Sequence, residues 1–457
     1  MLRSRVFPAL VFFVMSPGAL ASRESTRAFT RVGPSVQVSS DRLLVGTDQQ
    51  AEPFLALDPR DPSKLLGAAQ EGRLASGAAR ANGFYSSGDG GRTWRRGLLP
   101  GVSTATGGRF DRATDPLVAF GPDGTAFYSS LALDFTGHVP RSSEILLSRS
   151  ADAGRTWDAP QTVASGTTMR PLDEPWLAAD TGAASSRRGA LYVAWSRGDA
   201  AVQPPTFRIE VSRSDDGGRS WRPAVTASGL DRYPTGAKVA VGPDGTLFLV
   251  YVQSGPRDTR ERVRVVRSID GGTSWSAPRT IARRSPPPLE GLRSGPGLAT
   301  AVDASRGTLH VVWVDARIRR GVQLTSRSFT GGRSWGRPVR VDGGRAPGTE
   351  LTPALAAVRG SVHVLFYTGD GRRGALFDVL YAQSLDGGAS FRRPLRVNAR
   401  PFDIRRSVRS DGLRFLGDYI GIVATRSFAQ AIWVQPNAAT ANRGGGNDVL
   451  SARIDAG

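Results

Sequence analysis

The chain has 457 residues, 39% of them hydrophobic, with no cysteine, three histidines and a formal net charge of +20. Without cysteine there is no disulfide framework and no thiolate metal site, and the histidines at 138, 310 and 363 are too scattered to suggest a metal centre, so no cofactor and no metal is expected. Nearly all the positive charge is arginine, since Lys64 and Lys238 are the only lysines; spread along the chain, it argues against a nucleic-acid module and suits an anionic glycan.

In chain order, residues 1–21 read as a secretory signal. Arg3 and Arg5 precede an apolar run from Val6 to Met15, and Ala19-Leu20-Ala21 supplies a small-residue cleavage site. A secreted or periplasmic protein is expected, with residues 22–457 as one domain. No later apolar run approaches the length of a membrane span.

A turn sequence then recurs: "SSGDGGRTW", "SADAGRTW", "SDDGGRSW", "SIDGGTSW", "SFTGGRSW" and "SLDGGASF". Its frame is Ser-x-Asp-x-Gly-x-Thr/Ser-Trp/Phe, starting at Ser87, Ser150, Ser214, Ser268, Ser328 and Ser384, 54 to 64 residues apart. Such a period marks repeated supersecondary units. Each unit opens with a short apolar run ("DPLVAFGP", "GAKVAVGP"), continues with an alternating one ("TLFLVYVQS", "TLHVVWVDA"), leads into the turn, and leaves it through a fourth run ("RPVRVD"). Four strand-like runs bounded by Gly, Pro and Asp make one antiparallel sheet, and sheets repeated about an axis make a propeller.

After the sixth turn come "GDYIGIVAT", "FAQAIWVQP" and "NDVLSARIDAG", three further strands with no fourth. "GPSVQVSS" at 33–40 reads like the fourth runs elsewhere and would complete this last sheet. An all-β, seven-bladed propeller of four-stranded antiparallel blades, closed by an N-terminal strand, is expected; the alternative is six blades with an appendage. In the turn, Asp89, Asp152, Asp216, Asp270 and Asp386 accept backbone N–H groups, Gly supplies left-handed geometry, and Trp or Phe packs on the blade. These roles are structural, and Thr330 in the fifth copy fits them.

These frames resemble the Asp-box, or BNR, repeats of the sialidase superfamily. The resemblance implies a propeller whose turns lie opposite the active-site face. Residues flanking the first strands should therefore ring that face: Glu52, Asp115, Asp173, Glu174, Glu350 and Asp418, with Arg112, Arg170 and Arg414 just upstream of three of them and Arg317 after a second strand. Guanidiniums clamp carboxylates, and two acids flanking a glycosidic oxygen cleave it. Carried over from the family, Tyr419 is the nucleophile, Glu174 polarises it, Asp115 is the acid/base, and the arginines hold a substrate carboxylate. The family's Arg-Ile-Pro motif is absent, since its place reads "AEPFLALDP". The expected activity is that of an exported sialidase-like glycoside hydrolase acting as a monomer on terminal acidic sugars. A non-catalytic propeller binding anionic glycans or a protein partner is the alternative.

Overall fold

The computed structural model describes residues 28–44, 49–137, 139–229, 231, 233–255, 258–287, 289–318, 320–344, 348–369, 376–437 and 446–456; the signal segment, His138 and Gly457 lie outside them. Among the described residues there are strands and two short 3-10 turns, Thr104–Thr106 and Ile404–Arg406, but no α-helix.

The strands follow the repeat. Ala51–Leu57, Leu65–Arg73, Ala79–Ser87 and Arg95–Leu98 pair in order, and the same antiparallel order returns in Arg112–Phe120, Ala126–Thr136, Val139–Ser150 and Gln161–Thr167. These two groups join into one eight-stranded sheet through the pair Ala79 and Ala113. Further sheets begin at Leu172–Ala179, Pro234–Val241, Leu298–Asp303, Thr349–Val358 and Gly421–Ala424. Each of these first strands packs against the next, and Gly421–Ala424 returns to pack against Ala51–Leu57. The last sheet takes its outer strands from the other end of the chain. Phe29–Val32 and Val36–Gln37 both pair with Asn447–Ala456, setting Val36 opposite Ser451.

Second strands carry the bulk of the core. Tyr128, Trp195, Tyr251, Trp313, Tyr367 and Trp433 are each fully buried on them, as expected for strands covered on both faces. His310 and His363 are also buried there, and burial holds both rings below their ordinary pKa, at about 4 and about 3.

Every turn frame starts on the last residue of a third strand and leads to the fourth. In the third copy Asp216 Oδ1 accepts from the backbone N–H groups of Arg219 (3.0 Å) and Ser220 (2.9 Å), while the hydroxyls of Ser214 and Ser220 donate to its carboxylate. Four donors favour the ionised form, and Asp152, Asp216 and Asp270 are all held down to about 2. In the fifth copy Thr330 Oγ1 takes over the acceptor role, receiving the Ser334 N–H at 2.9 Å. The turn is a staple.

Candidate functional site

Opposite the turns, the first strands share a defect. Their pairing with the second strands slips between Ala51 and Phe54, Thr114 and Leu117, and Asp173 and Trp176. Within each slip sits an acid followed by proline: Glu52-Pro53, Asp115-Pro116 and Glu174-Pro175. The acids have φ of 55, 48 and 50°, a left-handed conformation costly for a side-chain-bearing residue and opposed by the following proline. A non-glycine residue held there costs about 1–3 kcal/mol. Bulges re-aim side chains, and these three bring their carboxyls together. The sequence placed the acids just before the first strands; they lie inside them, because the bulge interrupts pairing without ending the strand.

The resulting cluster holds Glu52, Asp115, Asp173, Glu174 and Asp418 together with Arg73, Arg293 and Lys238. Glu52 is 1% exposed and accepts from Gln70 Nε2 at 2.5 Å, and the same amide donates to Thr114 Oγ1. Asp115 Oδ1 accepts from Thr114, while its Oδ2 is buried with no donor among the described residues. The Glu52 and Asp115 carboxyls contact each other. Two carboxyls meet in this way only when one carries a proton. Burial, then the Glu52 charge, pushes Asp115 well above the usual carboxylate range.

Glu174 is fixed differently. Its Oε2 accepts from Thr235 Oγ1 and the Gly236 N–H, each at 2.7 Å, and from Ser196 at 3.4 Å. Asp173 opens towards solvent yet is walled by protein and crowded by Asp115 and Glu174, which raises its pKa. Asp418 comes from the loop before Gly421–Ala424, where Gly417 at φ 118° lets the chain approach the first strand; a Cβ at Gly417 would stand 2.6 Å from the Glu52 nitrogen. Arg293 Nη2 donates to Asp418 Oδ2 at 3.1 Å. Arg73, 3% exposed, donates to Gln70 Oε1 at 2.7 Å and Ser410 Oγ at 2.8 Å.

A cavity of about 420 Å³ opens over this cluster. Glu52, Asp115, Asp173, Arg73 and Arg293 line its floor, and its walls come from the second-to-third connection Ser76–Ala78, the facing strand ends at Phe135 and Pro140, and Thr167 and Pro171 where a fourth strand leads to the next first strand. A larger hollow of about 570 Å³ lies on the turn side, but its carboxyls Asp61 and Asp152 are held below their ordinary pKa by hydrogen bonds and have no proton to give near neutrality.

Residues 189–404 match the family model described as a BNR repeat-like domain. That match spans a little under half of the chain and shows a BNR repeat-like domain there. No curated protein matches the sequence. Among solved structures the propeller is similar to the phage phi92 endosialidase (10% identity, TM-score 0.52, covering 93% of this chain and 69% of that one). It is also similar to a leech intramolecular trans-sialidase (13%, 0.50, 80% and 70%) and to the Penicillium chrysogenum α-L-arabinanase complexed with arabinobiose (15%, 0.50, 93% and 99%). At these identities the likeness is one of fold.

The propeller gathers only some of the residues singled out in the sequence. Tyr419 lies under the cluster, ringed by Phe54 and Trp176, and its hydroxyl donates to the Pro116 carbonyl at 3.1 Å. All three hydrogen bonds recorded for Glu174 Oε2 come from other groups. Arg112 sits at the cavity's edge, donating to Ser76 and Gly77 and stacking 3.8 Å over Phe135. Arg170 is an exposed turn residue. Arg414 donates to the Ser407 carbonyl, and Arg317 pairs with Asp315. Glu350 belongs to a separate buried network, accepting from the Gln323 N–H beside Asp342 and Arg340; burial raises it to about 8.

The cations that reach the acids, Arg73, Arg293 and Lys238, were not read from the sequence. Lys238 left a trace, as one of two lysines; Arg73 closes the polar end, "QEGR", of a second strand that opens apolar; nothing marks Arg293 among its many counterparts.

Proposed function

We propose that this protein is an exported glycoside hydrolase working at the carboxyl-floored mouth of one seven-bladed propeller. The cyclic packing of the first strands and the pairing of Val36–Gln37 with Asn447–Ala456 support that blade count and closure. The apolar, Arg-led segment before Ser22 supports export.

One observation carries the catalytic reading: Glu52 and Asp115 are strained into contact on the floor of a sugar-sized cavity, where burial and neighbouring carboxylates raise both pKa values and favour a shared proton. Asp115 then passes the couple's proton to the departing glycosidic oxygen, and the two carboxylates left behind are offset by the Arg73 and Arg293 charges. Asp173, lining the same cavity, is the second carboxyl, assisting water or a nucleophile at the anomeric carbon. Tyr419 serves as nucleophile only if its hydroxyl leaves Pro116; as it stands it supports the floor. Arg73 and Arg293 give the floor a positive side suited to a carboxylate, which favours a terminal acidic sugar, in keeping with the trans-sialidase and endosialidase among the similar folds. The bonds already holding these guanidiniums to Gln70, Ser410 and Asp418 favour a second reading, glycan binding without turnover.

The test is release of aglycone from a panel of aryl sialosides, uronides and arabinosides. Wild-type protein is expected to turn over an acidic glycoside, with Asp115→Asn slower by at least about 100-fold. Equal rates for both proteins, with glycan binding retained, would establish the binding reading instead.

A further inference from the structure

On the face opposite the acid cluster, arginines strap most turns to the next. The residue before each frame from the second to the fifth is Arg149, Arg213, Arg267 and Arg327. Arg213 Nη1 donates to the Gly271 carbonyl of the following turn at 2.7 Å, and Arg327 Nη1 to those of Asp386 and Gly387 at 2.9 and 2.6 Å. Arg149 and Arg267 lie against Gly217 and Gly331 of theirs. The first turn has Ser86 in that place, too short to cross to the second, and the hollow of about 570 Å³ opens in this gap. The second residue of the frame widens it: Gly88 and Ala151 line the hollow, whereas later copies carry Asp215, Ile269, Phe329 and Leu385.

Four cations line the gap: Arg60, Lys64, Arg95 and Arg155. Arg60 and Lys64 approach Asp58 and Asp61 only to 3.6 and 3.5 Å, and the Arg60 guanidinium lies over Gly124, where a side chain would collide with it. Arginines at the matching place in the first, third and fifth turns fold back on their own turn. Arg92 Nη1 donates to the Asp89 carbonyl, Arg219 Nη1 to that of Asp216 and Arg333 Nε to that of Thr330. Arg155 makes no such bond, and neither its guanidinium nor that of Arg95 has a partner among the described residues. The two lining carboxylates are already satisfied: Asp61 Oδ1 accepts from the Ser63 N–H and hydroxyl, and Asp152 accepts from its own turn. Four cations against two carboxylates leave an excess of two positive charges around the hollow. We propose that the hollow is a second binding site, for a phosphate monoester carried on a sugar-sized body. Such an ester carries roughly two negative charges at pH 7 and three acceptor oxygens, which guanidiniums meet with paired N–H donors. The volume lies in the usual range of small-molecule sites and leaves room for the rest of the ligand. The site is independent of the hydrolase reading, whose cavity lies on the other face.

Calorimetric titration of the whole protein at about 0.15 M salt, where distant charges are screened, tests this. Hexose 6-phosphate is expected to bind at a single site, more tightly than inorganic phosphate, and the neutral hexose not to bind. Below about pH 6 the phosphate takes up a proton, and binding is expected to weaken. Arg95→Ala and Arg155→Ala, both at exposed side chains, are each expected to weaken binding about 10-fold. Ser86→Arg separates a built site from the general attraction of a chain with a net charge of +20. It supplies the strap that later turns possess, so binding should be lost and the melting temperature kept or raised. It also adds a positive charge, so a merely cationic surface would hold the phosphate more tightly. Binding that survives or tightens in Ser86→Arg, or that neither alanine variant weakens, would overturn the proposal, as would no binding of hexose 6-phosphate at all. Should Ser86→Arg melt below the wild type, the two alanine variants decide. Vesicles of phosphatidylcholine with phosphatidic acid are expected not to sediment the protein. Sedimentation that depends on Arg155, with no binding of hexose 6-phosphate, would assign the phosphate to a lipid headgroup and refute the sugar-borne ligand.

Discussion

Arg73 and Arg293 meet on one hydroxyl: Ser410 Oγ accepts from both, at 2.8 and 2.6 Å, and both guanidiniums lie over the Phe415 ring, 4.6 and 4.7 Å from its centre. Strands distant in sequence thus hold two positive charges side by side against the acids. The two should respond differently to loss. Arg73 is almost fully buried, so Arg73→Met leaves Glu52 with less opposing charge and is expected to cost about 3 kcal/mol, read as a shift in urea midpoint. Arg293, a third exposed, is expected to cost under about 1 kcal/mol as Arg293→Met while weakening binding of an acidic sugar.

The buried acids away from the cavity set a pH dependence. Burial raises Glu71 to about 7 and Glu350 to about 8, so between pH 4.5 and those values the folded protein binds protons that the unfolded chain has released. Stability supplied by these groups is therefore present at and below pH 4.5 and lost as pH climbs towards 8. Unfolding followed at pH 5 and pH 8 should show greater stability at pH 5. Glu350→Gln should flatten that difference by on the order of 2 kcal/mol, and an unchanged slope would contradict the burial argument.

The turn acids act in the opposite sense. Asp152, Asp216 and Asp270 are held at about 2, so their contribution is present above pH 3.8 and disappears as pH falls towards 2. Asp216→Ala strands two backbone N–H groups and is expected to cost about 1–3 kcal/mol. Thr330→Asp restores the commoner acceptor and is expected to stabilise by about 0.5–1 kcal/mol. Thermal unfolding of both variants measures this, and neither should alter binding in the cavity, which lies on the other face.

The N-terminal strands pair with Asn447–Ala456, and Gln37 adds a side-chain bond to Asp448 at 2.9 Å. Deleting residues 33–40 leaves Asn447–Ala456 with an open edge and is expected to lower the midpoint of the whole cooperative transition. A melting curve unchanged by the deletion would refute closure by that strand.

The repeat made the sheets legible, because turn chemistry is local: serine, aspartate, glycine and an aromatic residue within one short frame determine one geometry, and Thr330 could replace the acid without loss of the turn. The acids of the mouth were legible for a related reason, since Glu52, Asp115 and Glu174 each precede a proline at the same place in their units. Their partners were not. Whether Arg73 or Arg112 faces Asp115 depends on which way a side chain leaves a strand end and on connections hundreds of residues away, such as the one carrying Ser410. Sequence proximity favoured Arg112, Arg170 and Arg414; the Arg112 and Arg414 guanidiniums donate to the Gly77 and Ser407 carbonyls, and Arg170 sits on an exposed turn. The family likeness implied both a face and roles; Tyr419, its implied nucleophile, lies beneath the acids with its hydroxyl donating to the Pro116 carbonyl.

The most direct test is a crystal structure of the Asp115→Asn protein with an acidic oligosaccharide bound. A glycosidic oxygen within about 3 Å of residue 115, and a sugar carboxylate turned towards Arg73 and Arg293, is the predicted result. Sugar seated instead in the hollow beside Asp152, with the carboxyl-floored cavity empty, would contradict it.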